Sequence, residues 1–147
     1  IMKKQYKKMA TYFSFLLVVL VLGTYYWLKL PYSFSYQRQL ATDFINHINN
    51  EEYEQAFSLT QQNMYTGRTL EEFKVKVIRE IPASGYQFAY SFPKQTNGNR
   101  LRRWFNGTKV EMQDVNIEFK GPTDLRITLR HTDDDKWKIF YITSHAG

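Results

Sequence analysis

From Met9 to Leu28 the chain runs for 20 residues without one charged side chain. At about 1.5 Å per residue this makes a helix about 30 Å long, the thickness of a bilayer's hydrocarbon core. A helix buried in a soluble core would still carry a polar face, and this one has none. Signal-peptide apolar regions are shorter, about 7–15 residues, and end at a small-x-small cleavage site. The nearest candidate, Gly23-Thr24-Tyr25, is followed by more aromatics. Tyr25, Tyr26 and Trp27 fall where the helix meets the headgroups, and Lys29 can snorkel just beyond them. Residues 9–30 therefore read as an uncleaved transmembrane anchor.

Lys3, Lys4, Lys7 and Lys8 precede the anchor, and no acidic residue does. Lysines clustered before a first span stay on the cytoplasmic side. Residues 1–8 then form a cytoplasmic basic tail, and the body lies across the membrane. In a bacterium this describes a single-pass protein of the inner membrane with a periplasmic or otherwise extracytoplasmic domain.

The net charge of +6 would ordinarily raise the question of nucleic acid. Its location answers the question. Removing the five lysines of residues 1–30 from the 20 Lys and Arg leaves 15 bases against 14 acids in the body. The excess belongs to the membrane segment, and no nucleic-acid partner is expected. With no cysteine, disulfides, thiolate zinc sites and cysteine nucleophiles are all excluded.

Residues 31–35 read as a short linker stiffened by Pro31. Helical periodicity follows, with Leu40, Phe44, Ile45 and Ile48 on one face. A second short helix is expected from about 51 to 59. Thr69-Leu70-Glu71-Glu72 matches a capping box that opens a third helix, which Pro82 stops. Beyond it the period changes to two. Strands are expected around Tyr86–Phe92, Arg100–Phe105, Lys109–Lys120, Leu125–Arg130 and Lys136–Ser144, the last alternating through Trp137, Ile139 and Tyr141. Asn106-Gly107 is the strongest hairpin signal among them. Helices followed by an antiparallel meander indicate an α+β domain with the helices on one sheet face. The 18 aromatics of the body are expected to fill much of the interior.

Three phrases carry a family resemblance: Ala41–Thr60 with Tyr53-Glu54-Gln55-Ala56-Phe57, Thr69–Ile81, and Asp133–Ile142. Together they resemble the first two helices, the third helix and the closing hairpin of the NTF2-like superfamily, across about residues 36–144. The resemblance implies three helices packed on a curved antiparallel sheet of four to five strands, with a pocket inside the cone, over residues 36–147. It implies no single activity, because the fold hosts isomerases, dehydratases, transport factors and scaffolds. The anchored layout is similar to that of assembly factors in type IV secretion.

Little here points to chemistry. His47, His131 and His145 have no metal-binding spacing, so no metal and no cofactor is expected. Asp133-Asp134-Asp135 reads as a solvated turn. Arg100, Arg102, Arg103 and Trp104 form a basic and aromatic cluster that can contact an anion or a partner, or guard an edge strand. Tyr53, Tyr65 and Tyr90 are the candidate pocket residues, and no catalytic set stands out. The expected role is a non-catalytic scaffold, accessory or assembly subunit docking on another envelope protein. The alternatives are a binder of small apolar ligands and an enzyme using the same pocket.

Overall fold

The computed structural model describes the backbone of residues 2–145 and the side chains of residues 5–145. The side chains of Lys3 and Lys4 lie outside the described residues. The chain divides into two compact units, Ile1–Tyr32 with Gln95–Val110, and Ser33–Lys94 with Glu111–Gly147. The body expected as one piece over 36–147 thus contributes residues 95–110 to the N-terminal unit.

The N-terminal unit holds helix α1, Met2–Lys29, and a short helix that the sequence disguises. Within α1, Gln5–Lys29 is long and apolar enough to cross a membrane, and its most apolar window is wholly uncovered. The segment expected as a strand and hairpin over Arg100–Gly107 is instead helix α5, Asn97–Phe105. Thr96 caps it, its hydroxyl accepting from the Asn99 N–H at 3.2 Å. At the other end Gly107 N–H donates to Trp104 O at 3.1 Å and Thr108 N–H to Arg103 O at 3.0 Å. This crossed pair is a Schellman ending, and Gly107 supplies the left-handed residue it needs, with φ 66°. Asn-Gly therefore ends a helix here and turns no hairpin.

The second unit is α+β. Helices α2 (Ser35–Asn49), α3 (Tyr53–Ser58) and α4 (Leu70–Glu80) precede and cover an antiparallel sheet of four strands. Its strands, in spatial and sequence order, are β1 (Gln87–Phe92), β2 (Asp114–Lys120), β3 (Asp124–His131) and β4 (Trp137–His145). The cap forms as expected at α4, where Thr69 accepts from the Glu72 N–H; the Glu72 carboxylate reaches one residue further back than in the full capping box, to the Arg68 N–H at 2.8 Å.

The core lies between helices and sheet. Phe44 and Phe73 meet edge to face with ring centres 6.0 Å apart, and Phe57 packs on Phe73 at 5.3 Å. Opposite them the sheet presents aliphatics: Val115, Ile117, Leu125, Ile127, Leu129, Ile139 and Ile142 are fully buried. Phe34, also fully buried, takes a left-handed backbone at the start of α2, with φ 47°. The expectation of an interior filled by the body's aromatics is met only in part. Tyr36, Tyr65, Phe88, Tyr90, Phe92, Trp104 and Phe105 are all exposed.

Two bulges turn some of the strand aromatics outward. In β1 the register slips between Phe88 and Tyr90, so Phe88 faces Phe119 while Tyr90 and Phe92 fall opposite Glu118 and Asn116. In β4 it slips between the partners of Thr128 and Leu129, Tyr141 and Ile139. Phe140 is the extra residue, and inward alternation continues at Ile142 instead of Tyr141.

Candidate functional sites

The helix-free face of the sheet is built from complementary pairs. Asp114 opposes Arg130, Asn116 opposes Thr128, Glu118 opposes Arg126, and Lys120 opposes Asp124. Arg130 binds Asp114 with both arms, at 2.7 and 2.8 Å, and Thr128 donates to Asn116 at 2.6 Å. Arg126 pairs with Glu118. The hydrogen bonds to Asp114 hold the Arg130 guanidinium charged more firmly than usual.

One end of this face carries an aromatic groove. Arg130 lies 3.4 Å over the Phe140 ring. The Tyr65 ring packs on Phe140 at 5.4 Å and on Tyr141 at 5.5 Å. Asn63 sets that position. Its side-chain oxygen accepts from the Tyr65 and Thr66 N–H groups at 2.8 and 3.0 Å, and its amide donates to Phe140 O at 3.0 Å. Tyr65, Asp114, Thr128, Phe140 and Tyr141 enclose about 240 Å³. Asp114 is committed to Arg130, and no acid–base pair faces the groove from these residues. Such a surface can stack against a ring.

Of the candidate pocket tyrosines, only Tyr65 lines this groove. Tyr90 stands on β1, the opposite edge strand, and is exposed. Tyr53 begins α3, half-buried, with the Lys74 ammonium 5.6 Å above its ring. The histidines are dispersed: His47 pairs with Glu52 at 2.5 Å, and His131 with Asp135 at 2.9 Å. Asp134 accepts from Thr132 and lies by Lys136 at 3.2 Å, so its carboxyl sits below the usual range in a solvated turn.

The second site lies in the N-terminal unit. Asn97 donates its side-chain amide to Trp27 O and its N–H to Leu30 O, both at 3.1 Å. A Cβ on Gly98 would stand 3.0 Å from Leu28 O, so glycine permits the close approach of α5 to the end of α1. A cleft of about 470 Å³ opens between the two helices, with Tyr25, Leu28, Lys29, Leu101, Arg102 and Phe105 in its lining.

The expected interface residues and the expected anion-contact residues therefore meet at one place. Tyr25, Tyr26 and Trp27 are exposed, and Lys29 lies 5.6 Å over the Tyr25 ring. Lys7 and Lys8, also exposed, sit near the other end of α1. Arg100 stacks 3.8 Å over Tyr32, Arg102 donates to Asn99 at 2.9 Å, and Arg103 donates to Lys109 O at 2.7 Å. Trp104 and Phe105 are 63% and 73% exposed, with rings 5.0 Å apart.

Sequence reasoning missed Phe140, Tyr141 and Phe105. The first two depend on a bulge, which leaves no local mark. The third had a signal: Leu101, Trp104 and Phe105 are spaced i, i+3, i+4, as on one helix face. Comparison of the chain with family models, with curated proteins and with solved structures gives no match.

Proposed function

We propose that this chain is a single-pass protein of a bacterial inner membrane whose extracytoplasmic α+β module acts without catalysis, as a scaffold, accessory or assembly subunit of an envelope complex. The observation that carries this reading is the fastening of α5 to the end of α1. Cleavage after Gly23-Thr24-Tyr25 would leave the carbonyls of Trp27 and Leu30 that hold Asn97 on a stub of about one turn, without the helix that presents them. The cleft beside α5 would lose Tyr25 at the same time. The anchor behaves as part of the fold.

The non-catalytic reading draws on the packed interior, where Phe44, Phe73, Ile117, Ile127 and Leu129 are fully buried. An anchored module gains effective concentration for partners in the same membrane. Its exposed apolar residues supply contact surface, among them Val75 and Ile78 one turn apart on α4 and Tyr90 and Phe92 on β1. The NTF2-like resemblance fits the order of three helices before a four-stranded antiparallel sheet; α5, between β1 and β2, departs from it.

The aromatic groove favours a second reading, a binder of small apolar or aromatic ligands. Its volume of about 240 Å³ decides against an enclosed ligand, since pockets that bury one run about 300–1,000 Å³. A single ring, or a partner's side chain, suits it better.

Cross-linking of the full-length protein in native membranes, followed by mild-detergent extraction and mass spectrometry, tests the proposal. A stoichiometric membrane or envelope partner is expected. Recovery of the chain alone, or with a small molecule retained, overturns it in favour of the second reading.

A further inference from the structure

Helix α5 has the composition of a helix that lies on a membrane. At about 100° per residue, Leu101, Trp104 and Phe105 share a stripe about 100° wide. Arg100 and Arg102 border the stripe on its two sides, and Arg103 lies behind it. The helix has no acidic residue. Two adjacent aromatics more than half exposed are costly in water, and a Trp beside arginines is the usual composition of an interfacial helix.

The position of α5 says what covers it. Asn97 ties its first turn to the carbonyls of Trp27 and Leu30, at the end of the apolar helix. Phe105, its last residue, lines the same cleft as Tyr25, one turn to the bilayer side of Lys29. Leu101 and Phe105 of the α5 stripe thus lie beside Tyr25, near where α1 leaves the hydrocarbon. An arginine set at that depth faces the phosphates of anionic lipids.

We infer that α5 is a second membrane contact, an interfacial helix that inserts Trp104 and Phe105 at the headgroup boundary and holds anionic phospholipid headgroups with Arg100 and Arg102, which border the stripe. This inference rests on α1 spanning the bilayer. It adds a surface that fixes how the chain emerges from the membrane and makes that emergence sensitive to lipid charge. At about fivefold in occupancy per basic residue, loss of the two flanking arginines lowers the ratio of seated to unseated α5 by about 25-fold.

The absence of cysteine allows a direct test by spin labelling of the full chain. Phe105→Cys, and independently Trp104→Cys, are labelled with a nitroxide in vesicles of phosphatidylcholine with phosphatidylglycerol. Leu22→Cys reports on α1, and Asp134→Cys on water. Accessibility to oxygen and to a water-soluble nickel chelate gives the depth of each label. Labels at 104 and 105 are expected at the headgroup boundary. They should shift toward water in pure phosphatidylcholine, or when Arg100 and Arg102 are changed to Gln.

Nickel access at 104 and 105 equal to that at 134, with the label at 22 deep, overturns the proposal and leaves the span intact. Labels at 104 and 105 shielded from both reagents also overturn it, assigning the stripe to a protein contact. A label at 22 in water removes the span, and the proposal with it.

Discussion

The Asn97 side-chain amide donates to the main-chain carbonyl of Trp27 at 3.1 Å, joining residues 70 positions apart. That carbonyl belongs to the last turn of α1, where it also accepts from the Leu30 N–H at 3.2 Å. Asn97 takes its second lone pair and at the same time sets the start of α5. Replacing Asn97 by Ala should cost about 1 kcal/mol at this joint. Hydrogen–deuterium exchange of the full chain in detergent should quicken across residues 97–105, with little change in β2 and β3. Unchanged exchange in α5 would mean that the bond does not hold the helix.

Gly67 has φ 103°, and a Cβ there would lie 2.5 Å from the Phe73 main-chain nitrogen. Neither the dihedral nor the clash can be relieved by a side-chain rotation. Gly67→Ala should therefore destabilise the α+β unit by roughly 1–3 kcal/mol, read as a lowered unfolding midpoint. A midpoint equal to that of the parent would show that the loop before α4 can shift freely.

How much of this was legible follows from how local each signal is. The α4 cap needs only Thr69 and Glu72, three residues apart, and it forms as read. The alternation of β2 and β3 is equally local, with Val115, Ile117, Leu125, Ile127 and Leu129 all buried. Helix α5 failed for a specific reason. Asn97, Gly98, Asn106 and Gly107 are poor helix formers, and Asn-Gly favours a hairpin. In the fold these residues have other uses: Asn97 is a tie, Gly98 allows close approach, and Gly107 closes the Schellman ending. The groove was hidden because Tyr141 faces outward only after the bulge at Phe140.

Glu80 ties the end of α4 to β4. Its carboxylate accepts from both the N–H and the hydroxyl of Ser144 at 2.8 Å, with Lys76 at 3.4 Å. Burial pushes its pKa up, but the Ser144 hydrogen bonds and the Lys76 charge outweigh burial, and the net shift is downward from 4.5. A depressed carboxylate pKa gives stability that is present above the unfolded value and lost as pH falls through the folded one. Unfolding midpoints of the parent should fall as pH drops below about 4.5, in the range where carboxylates titrate. Glu80→Gln should flatten that part of the profile and cost about 2 kcal/mol at neutral pH, where hydrogen bonds to a charged group are lost. Parallel acid profiles for parent and variant would remove Glu80 from the account.

The central claim is that α1 remains in the membrane with the α+β unit on its far side. Because the chain lacks cysteine, single-cysteine variants labelled by a membrane-impermeant maleimide in bacterial spheroplasts test it directly. Asp134→Cys should label in intact spheroplasts, Lys8→Cys only after lysis, and both chains should keep their full mass. Labelling of Lys8→Cys from outside, protection of Asp134→Cys, or a product shortened by its first thirty or so residues would contradict the account.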